Sequence, residues 1–157
     1  IDINIINDLI QILQNKIIII ALITWVLNQT IKLILFYATE KEWDAGRFFG
    51  AGGMPSTHSA LSMSAAVSIG YKEGWETALF ALALILAIIV MADATGVRRA
   101  TGEQAKVLNK IILEFFEEMK IKDERLKELV GHTPFEVIVG AMIGFIIATV
   151  LSIYLHI

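Results

Sequence analysis

The feature that most constrains this chain is a set of apolar runs too long to be the buried stripe of a surface helix. From Ile17 to Phe36 the sequence reads IIIIALITWVLNQTIKLILF, and residues 75–92 read WETALFALALILAIIVMA. Residues 133–155 carry a single charged side chain, Glu136. At 1.5 Å per residue, about 20 residues cross a hydrocarbon core of about 30 Å, so each run predicts a transmembrane helix. A further helix is predicted from Pro55 to about Ile69, short for a full span. Its small residues, among them Ser59, Ala60, Ser64, Ala66, Ser68 and Gly70, permit close helix approach where lipid gives no hydrophobic reward for contact. The expected fold is therefore all-α: a polytopic membrane helix bundle of about four transmembrane helices, the second one short.

At 157 residues the chain is read as one membrane-embedded domain, 1–157. Residues 1–16 suggest an interfacial start, and 37–53 form a polar, glycine-rich loop. Residues 101–130 are read as an amphipathic helical insertion, with Val107, Leu108, Ile111, Ile112, Phe115, Phe116 and Met119 at helical spacing among charges. The absence of cysteine excludes disulfides, a thiol nucleophile and a cysteine-ligated metal, and a net charge of −3 gives no general attraction to nucleic acid. The chain opens on Ile1, so a few residues are expected to precede it, and no signal-peptide cleavage pattern follows the first apolar run. Arg98, Arg99, Lys106, Lys110, Lys120, Lys122, Arg125 and Lys127 all lie between the last two spans, which the positive-inside rule places in the cytoplasm. With alternating helices, the 37–58 segment then joins them at the same face.

Three polar strings converge on that face. Gly50-Ala51-Gly52-Gly53-Met54-Pro55-Ser56-Thr57-His58 joins flexible backbone to a helix start, an arrangement suited to phosphate, although proline and a Ser56 or Thr57 cap also serve a helix without ligand. Asp93-Ala94-Thr95-Gly96-Val97-Arg98-Arg99 ends a span with a carboxylate and two guanidinium groups, which clamp phosphate oxygens or simply fix topology. In Gly131-His132-Thr133-Pro134-Phe135-Glu136 the carboxylate lies four residues past the imidazole and can hold it in one tautomer. Thr133-x-x-Glu136 also reads as a capping box. Lys32, inside the first span beside Asn28 and Gln29, is a candidate ligand group or a side chain snorkelling to the headgroups. Two histidines, several cations and a helix terminus at one site are what phosphoryl transfer through a phosphohistidine requires.

The strings GGMPSTHSA, DATGVRRATGEQAKVLN and LVGHTPFEVIVG resemble the divergent branch of the type 2 phosphatidic acid phosphatase and vanadium haloperoxidase-related superfamily, from about Gln29 to the C-terminus. The superfamily's motifs are K-x6-R-P, P-S-G-H and S-R-x5-H-x3-D. Carried over, Pro55-Ser56-Thr57-His58 implies His58 as general acid and Ser56 as a phosphate contact. His132-x3-Glu136 implies His132 as nucleophile and Glu136 as its orienting carboxylate. The chain departs from the pattern in several places. Thr57 replaces the glycine and Glu136 the aspartate. Arg125 stands one place off the Ser-Arg position, which leaves Arg98 or Arg99 to supply the guanidinium. The first motif survives as Lys41-x5-Arg47, with Lys32 as a rival lysine.

The resemblance implies a small integral protein of the bacterial plasma membrane, its site facing the cytoplasm, that hydrolyses a phosphomonoester or diphosphate lipid headgroup with no cofactor and no metal. Its partners would be membrane lipids and a phosphorylated lipid substrate, with Lys32, Lys41, Arg47, Gly53, Ser56, Arg98 and Arg99 on the phosphate. Two other readings compete. One is a non-catalytic lipid-phosphate-binding or transport protein on the same fold. The other is a metal-dependent phospholipid-forming transferase, because Asp93-x2-Gly96 before Arg98 and Arg99 resembles an acidic DG…AR signature. Asp93 and Glu103 would then hold magnesium. Gly140 and Gly144 permit a homodimer as readily as an internal helix contact.

Overall fold

The computed structural model describes residues 3–41, 53–116 and 131–157, and all regular structure among them is α-helical. The helices are α1 (Ile3–Gln14), α2 (Lys16–Glu40), α3 (Thr57–Glu73), α4 (Ala78–Thr95), α5 (Val97–Phe116) and α6 (Pro134–Tyr154). Arg47, Arg125 and the predicted insertion beyond Phe116 lie outside the described residues.

Local chemistry sets the helix boundaries. The side chain of Asn15 accepts from the N–H groups of Ile17 (3.0 Å) and Ile18 (3.4 Å), starting α2. Lys41 ends it in the left-handed region at φ 59°, its N–H donating to Tyr37 O. The second predicted helix starts two residues later than expected, because Ser56 is the cap and Pro55 stands outside the helix. It also runs on to Glu73, ended by Gly74 at φ 104°, a backbone conformation that favours glycine. α4 begins at Ala78 rather than residue 75 because Thr77 caps Phe80 N–H (3.3 Å). Thr133 and Glu136 form a full capping box at the head of α6.

Three helical stretches are long and apolar enough to cross a membrane: Lys16–Glu40, an apolar window within Ala78–Ile111, and Pro134–Tyr154. At 17 residues α3 reaches about 25 Å, short of a hydrocarbon core of about 30 Å. It is nonetheless the centre of the bundle, packing on α6, α4 and α2. Asn28 meets Pro55 and Thr57 while Ile20 packs with Val67, so α2 and α3 are antiparallel. A tight turn returns the chain from α3 into α4, where the Trp75 ring stacks edge-on with Tyr71 and Phe80 at 5.1 and 5.0 Å. Trp75 also covers Gly70 so closely that a Cβ there would collide with its ring.

α3 and α6 run parallel along a seam of small residues. A Cβ on Gly140 would overlap the Ser56 carbonyl, and one on Gly144 the Ala60 carbonyl. The predicted small-xxx-small surface is therefore used inside the bundle, and these glycines lend no support to a dimer. The interior is small and polar: Thr24, Asn28, Ser59, Ser64, Ser68 and Ser152 are fully buried around a minor apolar cluster of Ile20, Val67 and Ala148. Several serines satisfy their hydroxyls on their own helix, as Ser62 does on His58 O and Ser68 on Ser64 O, both at 2.8 Å. The exterior is apolar, with Leu82, Ile89, Met142 and Ile146 more than half exposed. Small and polar inside, aliphatic outside, is the distribution a bilayer requires. Among the described residues α1 packs on α2 alone, and exposes Ile5, Leu9 and Leu13.

Candidate active site

Antiparallel packing carries the C-terminal half of α2, the start of α3, the end of α4 and the start of α6 to one end of the bundle. Two main-chain bonds pin that end together. Ser56 N–H donates to Glu136 O, and His132 N–H donates to Ala94 O, both at 3.1 Å. The first ties the α3 start to the first turn of α6, and the second ties the residue before α6 to the last turn of α4. Positions distant in sequence thereby become neighbours.

The rings of His58 and His132 lie 6.2 Å apart between centroids, inclined at 60°. His132 is buried, with 4% of its surface exposed, and its Nδ1 meets Glu136 Oε2 at 3.2 Å. A carboxylate can only accept here, so Nδ1 carries the proton between them. The same Oε2 accepts the N–H of Thr133 at 2.9 Å, and Thr133 Oγ1 accepts from Glu136 N–H at 3.3 Å. The two sequence readings of Glu136 thus coexist: one carboxylate caps α6 and fixes the imidazole. Glu136→Gln separates them, since glutamine also closes a capping box but carries no charge to stabilise an imidazolium. The expected outcome is an intact fold by circular dichroism with the His132 ring signals displaced in 15N NMR.

Lys32 is 6% exposed, inside α2, with its Cε 3.4 Å from the point a Cβ on Gly53 would occupy. Gly53 holds φ 79°, a left-handed conformation suited to glycine. Of the two rival lysines, the bundle brings Lys32 to the loop before α3. Lys41 instead caps α2, nine residues and roughly 13 Å further along the helix, and is exposed. Ser56 is fully buried and largely committed: its N–H goes to Glu136, and its Oγ accepts from Ser59 N–H (3.4 Å) and Ser59 Oγ (2.9 Å). Among the described residues these bonds engage the N–H and the Oγ lone pairs and leave the hydroxyl proton. Arg98 and Arg99 sit in the first turn of α5, four and five residues past Ala94, with side chains outside the described residues, as is that of Glu103. Asp93 is exposed in the last turn of α4.

Sequence reasoning singled out Lys32 and passed over its neighbours. Asn28 Nδ2 donates to Pro55 O (3.3 Å) and to Thr57 Oγ1 (3.2 Å), and Thr57 Oγ1 donates to Gln29 Oε1 (2.9 Å). The available signal was two adjacent amides inside an apolar run, which must find polar partners in the protein. The arrangement as a whole offers an imidazole oriented by a carboxylate, a second imidazole 6.2 Å away between centroids, a buried lysine, and the positive end of the α3 dipole.

The family described as the Divergent PAP2 family matches residues 13–147 of this chain. The chain is also similar to YuiD of Bacillus subtilis (strain 168), an uncharacterized membrane protein, with 34% identity over 155 residues covering 92% of this chain and 98% of the relative. No solved structure matches it.

Proposed function

The chain belongs to the divergent PAP2 family, and from that premise we propose that this membrane protein is a lipid-phosphate phosphatase working through a phosphohistidine, with its site on the cytoplasmic side. The observation that carries the reading is the histidine pair, 6.2 Å between ring centroids, with one imidazole oriented by a carboxylate. Nε2 of His132 attacks phosphorus of a lipid phosphomonoester or diphosphate. As the P–N bond forms, the P–O bond to the lipid breaks and His58 delivers its proton to the departing oxygen. Glu136 stabilises the positive imidazole through Nδ1, while Lys32, with Arg98 or Arg99, balances charge on the phosphoryl oxygens. Water then attacks phosphorus, His58 takes its proton, and the P–N bond breaks to release phosphate.

The test is a phosphate-release screen of the purified protein over phosphatidic acids and polyprenyl phosphates. Release from a lipid substrate, blocked by vanadate and unaffected by chelators, is the expected result. Strict magnesium dependence would favour the transferase chemistry of Asp93 and Glu103 instead. The internal commitments of Ser56 favour one further reading, a protein that binds lipid phosphates at this site without cleaving them. Binding without any release would select it.

A further inference from the structure

Thr57 stands where the superfamily motif has glycine, and the structure gives its hydroxyl a specific use. It accepts from Asn28 Nδ2 at 3.2 Å and donates to Gln29 Oε1 at 2.9 Å, while the same Asn28 amide holds the Pro55 carbonyl at 3.3 Å. Asn28 is fully buried and Gln29 is 3% exposed, while Thr57 is half-buried, so the amide ends of these bonds lie inside the bundle. Thr57 is the first residue of α3 and His58 the second. From Pro55 to Thr57, the segment leading into His58 is gripped on the α2 side by two amides and on the α6 side by Ser56 N–H bonding to Glu136 O. A hydroxyl accepts from one side-chain amide and donates to the next through a single oxygen atom, which is the use made of Thr57 here.

We infer that Asn28, Thr57 and Gln29 form a clamp within the membrane span that sets where His58 stands relative to His132: a positioning device, not a catalytic one. In this chain a hydroxyl-bearing residue at the motif's glycine locks the helix start to α2. Unmade hydrogen bonds are costly in a bilayer interior, so the three residues hold one arrangement together. The functional consequence rests on the phosphatase reading above, whereas the geometric one does not.

The experiment follows the two imidazoles separately, by NMR of protein with 15N-labelled histidine in lipid nanodiscs, alongside phosphate release. The variants are Thr57→Val, which keeps the shape and removes the hydroxyl, Thr57→Ser, Asn28→Ala, and the Thr57→Val/Asn28→Ala pair. Thr57→Val is expected to shift the His58 ring signals while the His132 Nδ1 signal stays put. It should lower kcat by about 10- to 100-fold, the scale on which misplacing a reacting group by about 1 Å costs rate, with KM changed far less, and Thr57→Ser should restore both. The double variant should cost less than the sum of the two single variants, because both remove the Asn28–Thr57 bond. Unmoved His58 signals in Thr57→Val would overturn the clamp, as would equal displacement of both histidines, the mark of general loosening. A protein that releases no phosphate while its His58 signals respond as described would retain the clamp and lose the phosphatase.

Discussion

His132→Ala is expected to abolish phosphate release, lowering turnover on the order of 10⁴- to 10⁶-fold, the range seen when a nucleophile held by a base or carboxylate is removed. The effect should be this large because no other described group can replace Nε2. His58 lies within 6.2 Å, but the Glu136 carboxylate that orients an imidazole meets His132. The fold should survive, because alanine keeps the main-chain N–H on Ala94 O that joins the head of α6 to α4, and the Thr133–Glu136 capping box does not use the imidazole. Phosphate release at saturating lipid, compared with the elution profile and helicity of the purified variant, checks both halves. Full activity in a well-folded His132→Ala protein would remove the phosphohistidine mechanism entirely.

The second large effect is structural. At Gly140 and Gly144 any side chain would press a Cβ into the carbonyls of Ser56 and Ala60, and backbone has no rotamer to yield. Gly144→Ala should destabilise by about 1–3 kcal/mol, the usual cost of overpacking, and Gly144→Leu should give no monodisperse folded protein. The informative control is Ala141→Leu. Ala141 borders an open apolar groove of about 290 Å³ lined by Met63, Met142, Phe145 and Ile146, so a larger side chain finds room. Thermal unfolding in detergent measures all three variants. A Gly144→Leu protein as stable as the unmodified chain would mean that α3 and α6 do not meet along this seam. Because Ser56 sits on the same seam, loosening it should also separate His58 from His132, so activity should fall before stability is lost.

Part of this architecture was legible without coordinates, and the legible part shares one property. The three long apolar spans, the Thr133-x-x-Glu136 box and the helical start of the amphipathic stretch, 101–116 within α5, depend on relations within a few residues, where hydropathy, helical period and hydrogen-bonding groups act through local geometry. Boundaries moved where two local signals competed. Pro55 reads as a first-turn proline, yet Ser56 behind it makes the better cap, and the helix starts at Thr57. The count of spans was less secure for a related reason. α3 is too short to announce itself by length, and it holds its central place through small residues that suit an interior and carry little hydropathy.

What the sequence determined by itself was a helical membrane chain with its polar strings gathered at one face. Tertiary packing decided which of those strings meet. It set Lys32 beside Gly53 and left Lys41 as the cap of α2, turned Gly140 and Gly144 inward, occupied Ser56 with capping and with Glu136, and made partners of Asn28 and Thr57. The physical reason is that contacts between helices depend on azimuth and axial offset. A rotation of one helix by a single residue, 100°, redirects every side chain without altering the hydropathy of the run. Local patterns constrain that rotation only loosely in lipid, where the outside of a helix is as apolar as many of its neighbours.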